Sequence, residues 1–132
     1  MHSPEDDDHF AIPEDNDFCV ALVEEVPALA SLMRKHLEDE FGKIESYVFM
    51  SDVARWAEAN AAANPAIVTG LVDALNNGID KGDGDVPNLV VVGFVESLPQ
   101  PTPIYPLING SLKGWVDFIF GISKVQPLLR GQ

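Results

Sequence analysis

The residues able to do chemistry are few and scattered. The histidines are His2, His9 and His36, and the single cysteine is Cys19. His2 and His9 lie in an acidic N-terminal stretch. His36 falls on the apolar face of a helical pattern, where a satisfied, partly buried imidazole is expected more often than a general base. Cys19 stands among apolar residues with no histidine near it in sequence, which fits an inert core thiol better than a nucleophile. No GxSxG, HExxH, P-loop or GxGxxG pattern occurs.

Two acidic constellations come next. Asp80, Asp83 and Asp85 share a glycine-rich stretch that resembles half of a calcium loop. Counted from Asp80, however, positions 3, 5 and 12 are Gly82, Gly84 and Val91; counted from Asp83, position 12 is Phe94. The bidentate glutamate that closes such a loop is missing both times. An Asp- and Gly-rich turn is the expected structure, with no metal. Asp52, Arg55 and Glu58 follow at three-residue steps, which suits a salt-bridged helix face. No catalytic constellation, cofactor site or metal site is expected, and the chain is read as a non-enzyme.

The elements that would position these residues are helices. The chain has 132 residues, 46% hydrophobic and 22% charged, which suits one globular domain. Asp17 is a plausible cap for a short helical stretch over 18–23. Pro27 opens a helix over 27–41, whose stripe runs Leu29, Leu32, Met33, His36, Leu37 and Phe41, with Gly42 as the stop. Ser51 caps the next helix, which carries Val53, Trp56 and Ala57. Asn64-Pro65 ends that helix and starts another, with Ile67, Val68, Leu71, Val72 and Leu75 on one face and Asn76-Asn77-Gly78 closing it. Residues 79–87 read as an exposed loop.

The stretch 88–98 is ambiguous. Its valines favour a strand and Gly93 weakens a helix, yet a lone strand has nothing to pair with. A buried central helix is expected. Pro99, Pro101, Pro103 and Pro106 make 99–106 a stiff connector, after which Ser111 caps a helix through Leu112, Trp115, Val116, Ile119 and Phe120. Ser123 to Gln132 read as a loose tail, with Leu128 and Leu129 docked. The fold class is therefore all-α: a compact multi-helix domain, HEAT-like or an irregular bundle, over 17–132, behind a disordered acidic tail over 1–16.

Charge sets the class of partner. There are 21 acids and 8 bases, for a net charge of −13. Such a balance argues against gripping nucleic acid phosphates or anionic lipid, both of which take Lys and Arg. Seven acids, Glu5, Asp6, Asp7, Asp8, Glu14, Asp15 and Asp17, fall within residues 1–17 without a base. No apolar run is long enough to span a membrane, and the N-terminus is the reverse of a basic, apolar signal peptide, so a cytoplasmic address is expected.

Three phrases carry a resemblance: Glu25-Val26-Pro27-Ala28-Leu29, Phe49-Met50-Ser51-Asp52-Val53-Ala54-Arg55-Trp56, and Gly93-Phe94-Val95-Glu96-Ser97-Leu98-Pro99. In this order and spacing, residues 18–121 resemble a family of small bacterial proteins related to the immunity proteins of polymorphic toxin systems. The resemblance implies a compact helical body that neutralises a toxin by direct binding, and it brings no catalytic residues.

An immunity protein or antitoxin is accordingly the leading expectation. Toxins that cut nucleic acid have basic clefts, and an acidic partner can fill them. The expected contact residues are Glu38, Asp39, Glu40, Asp52 and Glu58 at the rim, with Asp80, Asp83 and Asp85 from the loop. A helical adaptor or scaffold without a toxin, and a mimic of DNA charge, use the same surface and stand as alternatives.

Overall fold

The computed structural model describes residues 11–129. These form six helices and, among the described residues, no strand: α1 (Pro13–Glu25), α2 (Ala30–Asp39), α3 (Ser46–Asn60), α4 (Pro65–Lys81), α5 and α6 (Gly110–Ile119). Helix α5 begins as Val86–Asn88, widens into a π-helical turn over Leu89–Phe94 and tightens into a 3-10 turn over Val95–Ser97. Proline recurs at helix starts. It occupies the first or second position of α1, α4 and α5, and of the 3-10 turns Pro27–Leu29 and Tyr105–Leu107. Its fixed φ suits the first turn, and its missing N–H has no helical acceptor there in any case.

The all-α expectation holds, in the irregular-bundle form. Helix α5 is the centre: Leu89, Val90, Val91, Phe94 and Val95 are buried, so 88–98 is the internal helix that its even apolarity suggested. Helix α3 lies along the π-helical turn as its principal neighbour and adds Phe49, Met50, Val53, Ala54 and Ala57 to the core. Leu71, Val72 and Leu75 of α4 and Leu112 and Val116 of α6 close the other side.

Several boundaries differ from expectation. The tail expected over 1–16 lies outside the described residues up to position 10, but Pro13 already opens α1. Glu14 and Asp15 occupy its first turn, where the helix dipole favours acids. The body therefore begins before residue 17. Ser51 sits inside α3, which starts at Ser46. Helix α4 runs past Asn76-Asn77-Gly78 to Lys81, because Ile79 extends the Leu71–Leu75 stripe into the core. Gly78 is no stop: a Cβ there would stand 2.8 Å from the Phe18 ring of α1. Phe41 does not continue the α2 stripe. The helix ends at Asp39 and Phe41 is exposed. In the C-terminal stretch Leu129 packs against the core, whereas Leu128 is exposed; residues 130–132 lie outside the described range.

Gly93 explains how α3 and α5 approach so closely. A Cβ there would lie 2.8 Å from the Cβ of Met50, and neither atom can rotate away. Alanine in a helix interior normally gains up to about 1 kcal/mol over glycine, but here the clash outweighs it. Gly93→Ala is expected to destabilise the fold by about 1–3 kcal/mol in urea denaturation. Gly70 in α4 is the control: a Cβ there meets nothing within 4 Å, so Gly70→Ala should stabilise by about 0.5–1 kcal/mol. Equal effects at the two positions would contradict the close-approach account.

Candidate functional site

The eight acids expected at a partner surface do not share one role. Glu38 and Asp39 are exposed and Glu40 is half-buried at the C-terminal end of α2. Asp39 pairs with Lys35 at 3.4 Å, with both side chains open to solvent, so the pair adds little stability. Asp52, on α3, is paired with Arg55 through Oδ1 and faces His36 Nδ1 at 3.9 Å through Oδ2. Arg55 also donates to Ser51 Oγ at 3.0 Å. Glu58, expected to pair with Arg55, instead accepts a 3.2 Å hydrogen bond from the buried Thr102, which ties the proline-rich connector to α3. Asp80 accepts from Ser111 of α6 at 2.6 Å. Asp83 is exposed, while Asp85 is drawn into the interior. Glu38, Asp39 and Glu40 thus remain together at the surface, and Asp52, Glu58, Asp80 and Asp85 bind parts of the fold to one another.

Asp85 leads to a cluster that sequence reasoning missed. Tyr47 Oη donates to Asp85 Oδ2 at 2.6 Å, and Asn88 Nδ2 donates to Tyr47 Oη at 2.9 Å. The Asp85 backbone N–H donates to Glu14 Oε2 at 3.2 Å. Behind them Asp15 is 0% exposed, and neither of its carboxylate oxygens has a donor among the described residues. Burial raises the Asp15 carboxyl most; the hydrogen bond to the Asp85 side chain, the Asp85 charge and the Glu14 charge add to it, and together they push it up to about 8. These facts agree if Asp15 is protonated at neutral pH. An ionised Asp15 would be a buried charge without a counter-ion, whereas a protonated one has a hydrogen to give toward the Asp85 side chain. Asp15, Cys19 and Leu22 follow at helical spacing on one buried face of α1. An acid in line with an apolar stripe was the available signal, and the surrounding acid run obscured it.

The neighbouring groups are inert. Burial first, and then the nearby Asp15, push the Cys19 thiol up to about 12, far from a nucleophile's range. Burial and the bond to Asp85 likewise hold the Tyr47 phenol above its ordinary value. His36 is buried, and its Nε2 accepts the Glu45 backbone N–H at 3.0 Å, which places the ring proton on Nδ1. The edge of its ring meets Phe49, with centroids 5.4 Å apart. His36 therefore holds the start of α3, in keeping with the expectation of a satisfied core histidine.

Two of the surface grooves lie near these acids. One, of about 280 Å³, runs beside the acid pair and is lined by Glu14, Asp17, Phe18, Ala21, Lys81, Gly82, Asp83 and Val86. The other, of about 350 Å³, lies between α4 and α6 and is lined by Ile79, Asp80, Ser111, Gly114, Trp115 and residues 127–129. Among the described residues no group of three or more His, Cys, Asp or Glu side chains is arranged to hold a metal ion, and no helix is long and apolar enough to cross a membrane.

A family model described as a domain of unknown function, DUF7674, matches residues 19–119, and the chain belongs to that family. Comparison with curated proteins and with solved structures returns no match. The matched span contains α2 to α6 and most of α1, but Asp15 and Glu14 precede it.

The raised Asp15 carboxyl has a measurable consequence. An unfolded aspartate titrates near pH 4. Between about pH 4 and about pH 8, the folded chain therefore holds one proton more than the unfolded chain at this group. The stabilisation is full below that lower value and is lost as pH rises through about 8. The melting temperature of the wild type is expected to fall across this window. Asp15→Asn keeps a donor toward Asp85 but does not titrate, so its profile should be flatter and should lie above the wild type at about pH 9. Parallel profiles for the two proteins would assign the titration to another group.

Proposed function

We propose that this protein acts by binding a basic protein partner, and that it does so as an immunity protein or antitoxin that blocks a toxin by direct contact. The observation that carries the reading is the charge balance: 21 acids against 8 bases, for a net charge of −13. Three of the eight bases are paired with acids: Lys35 with Asp39, Arg55 with Asp52, and Lys113 with Asp117. The surface field is therefore negative, and a field of one sign steers a partner of the opposite sign and speeds its association.

The geometry narrows the contact set. Asp52, Glu58, Asp80 and Asp85 bond within the fold, so we place the contact at Glu38, Asp39 and Glu40 at the end of α2. Asp15 is buried on the inner face of α1 and belongs to the scaffold. The same acidic surface would serve a scaffold protein, and the identity of the partner separates the two readings: a toxin whose activity falls on binding supports immunity.

The test is co-purification of the full chain from its native host, identification of the partner by mass spectrometry, and titration of the purified pair. The dissociation constant is expected to rise at least about tenfold between about 50 mM and about 500 mM salt. Glu38→Gln combined with Asp39→Asn should slow association at low salt while leaving dissociation nearly unchanged. An affinity that does not respond to salt would sink electrostatic capture.

A further inference from the structure

Asparagine followed by glycine occurs twice, at Asn77-Gly78 and at Asn109-Gly110, and the fold treats the two pairs in opposite ways. Both asparagines are exposed, so access to water does not separate them. Asn77 and Gly78 lie inside α4, where the Gly78 amide belongs to the helical ladder. Asn109 stands just before α6 with extended backbone, φ −144° and ψ −179°. Gly110 opens that helix, and its N–H has no acceptor among the described residues.

The difference bears on a reaction that asparagine carries within itself. Its side-chain amide carbon is an electrophile, and the next backbone nitrogen is a nucleophile held close to it; joining the two closes a five-membered imide. Rotation about ψ decides whether they can meet. In helical backbone the Cβ stands nearly opposite the following nitrogen across the Cα–C bond, whereas in extended backbone it stands to the side of it. Asn109 is therefore near the attacking geometry, and Asn77 is turned away from it. Asn76 adds two effects. Its Nδ2 donates to Asn109 Oδ1 at 2.9 Å, which draws electrons from the amide carbon and stabilises negative charge on that oxygen as the ring closes. It also keeps position 110 bare: Gly110 has φ +63°, and a Cβ there would stand 2.9 Å from Asn76 Nδ2. The fold thus requires the residue that leaves the attacking nitrogen unshielded.

We propose that Asn109 is a site of spontaneous covalent modification, converting through a succinimide with Gly110 to isoaspartate and aspartate, while its helix protects Asn77. The Gly110 nitrogen gives its proton to water or hydroxide and bonds to Asn109 Cγ. The bond from Cγ to Nδ2 breaks, and that nitrogen leaves as ammonia. Water then opens the imide. Opening at Cγ gives aspartate; opening at the main-chain carbonyl gives isoaspartate, in which the chain runs through Cβ and Cγ. The net reaction consumes water, releases ammonia and involves no oxidation, and a neutral amide becomes a carboxylate. In isoaspartate the former Asn109 carbonyl is no longer part of the main chain. That carbonyl accepts from Asn76 Nδ2 at 3.1 Å and from the Lys113 N–H at 3.3 Å, so the change unpins the start of α6 from α4.

The test incubates the full folded chain in neutral buffer at physiological temperature and follows both pairs by peptide mapping with mass spectrometry. Isoaspartate is read by enzymatic methylation of its free carboxylate, and a parallel incubation in urea removes the fold. In the folded chain Asn109 is expected to convert at least about tenfold faster than Asn77, with isoaspartate among the products, and in urea that ratio should collapse. The more acidic species that accumulates on ion exchange should be absent from Asn109→Ser, and the separated isoaspartyl form should melt below the unmodified chain. Conversion of Asn109 no faster than that of Asn77 in the folded chain overturns the proposal. So does an unchanged ratio in urea, which would assign the preference to local sequence and not to the fold. An acidic species that persists in Asn109→Ser overturns the assignment of the site, and an isoaspartyl form that melts with the unmodified chain overturns the unpinning of α6.

Discussion

The first amides of every helix lack acceptors inside the helix, and the way this chain supplies them organises the molecule. In none of the six helices does the residue at the N-cap position accept a backbone N–H through its own side chain. For three of them the acceptor comes from another helix. His36 of α2 accepts the Glu45 amide at the start of α3, Glu14 of α1 accepts the Asp85 amide at the start of α5, and Asn76 of α4 accepts the Leu112 amide in the first turn of α6. Asn76 also donates to the Asn109 carbonyl and side chain. A net hydrogen bond contributes about 1 kcal/mol, but an unmet buried donor costs about 1–3 kcal/mol. These contacts therefore fix the register of each helix pair more than they add stability, and the apolar core fills the space they define.

The same economy governs charge in the interior. Among the described residues no lysine or arginine pairs with the buried acid of α1, and burial pushes the Asp15 carboxyl up to about 8. Asp85 beside it accepts from Tyr47, to which Asn88 donates, and the group joins α1, α3 and α5. A second polar junction lies on the far side, where Asp117 of α6 accepts from Tyr105 at 2.6 Å and from Lys113 at 2.7 Å. The Lys113 contact, followed by Tyr105, holds the Asp117 carboxyl below its ordinary value. The two junctions differ in sign: a base holds the Asp117 carboxyl down, whereas burial without a base pushes the Asp15 carboxyl up.

This division bears on function. Acids that close the structure face inward or onto neighbouring helices, and the acids of the α2 terminus face water beside an unburied aromatic. A chain of this composition has charge to spare, so some of it can hold helices together while the rest is displayed. Burial holds Cys19 as a thiol, and His36 Nε2 accepts the Glu45 amide.

The sequence by itself determined which faces of the helices are apolar, where several helices begin and that 88–98 is internal. Apolar spacing reports burial directly, and proline marks a first turn through its own covalent geometry. It also marked His36 as structural, because the histidine sits in line with Leu29 and Met33. The tertiary structure alone decided which polar atoms meet. The three cross-helix caps join residues 9, 71 and 36 positions apart, distances over which periodicity carries no information. For the same reason Asn76 read as a helix stop, Ser51 as a cap and Asp15 as part of a tail. Phe41 read as core because the stripe assumes that the helix continues, whereas a single left-handed residue ended it. The close approach of Met50 to Gly93, finally, is a property of two packed helices and of neither segment alone.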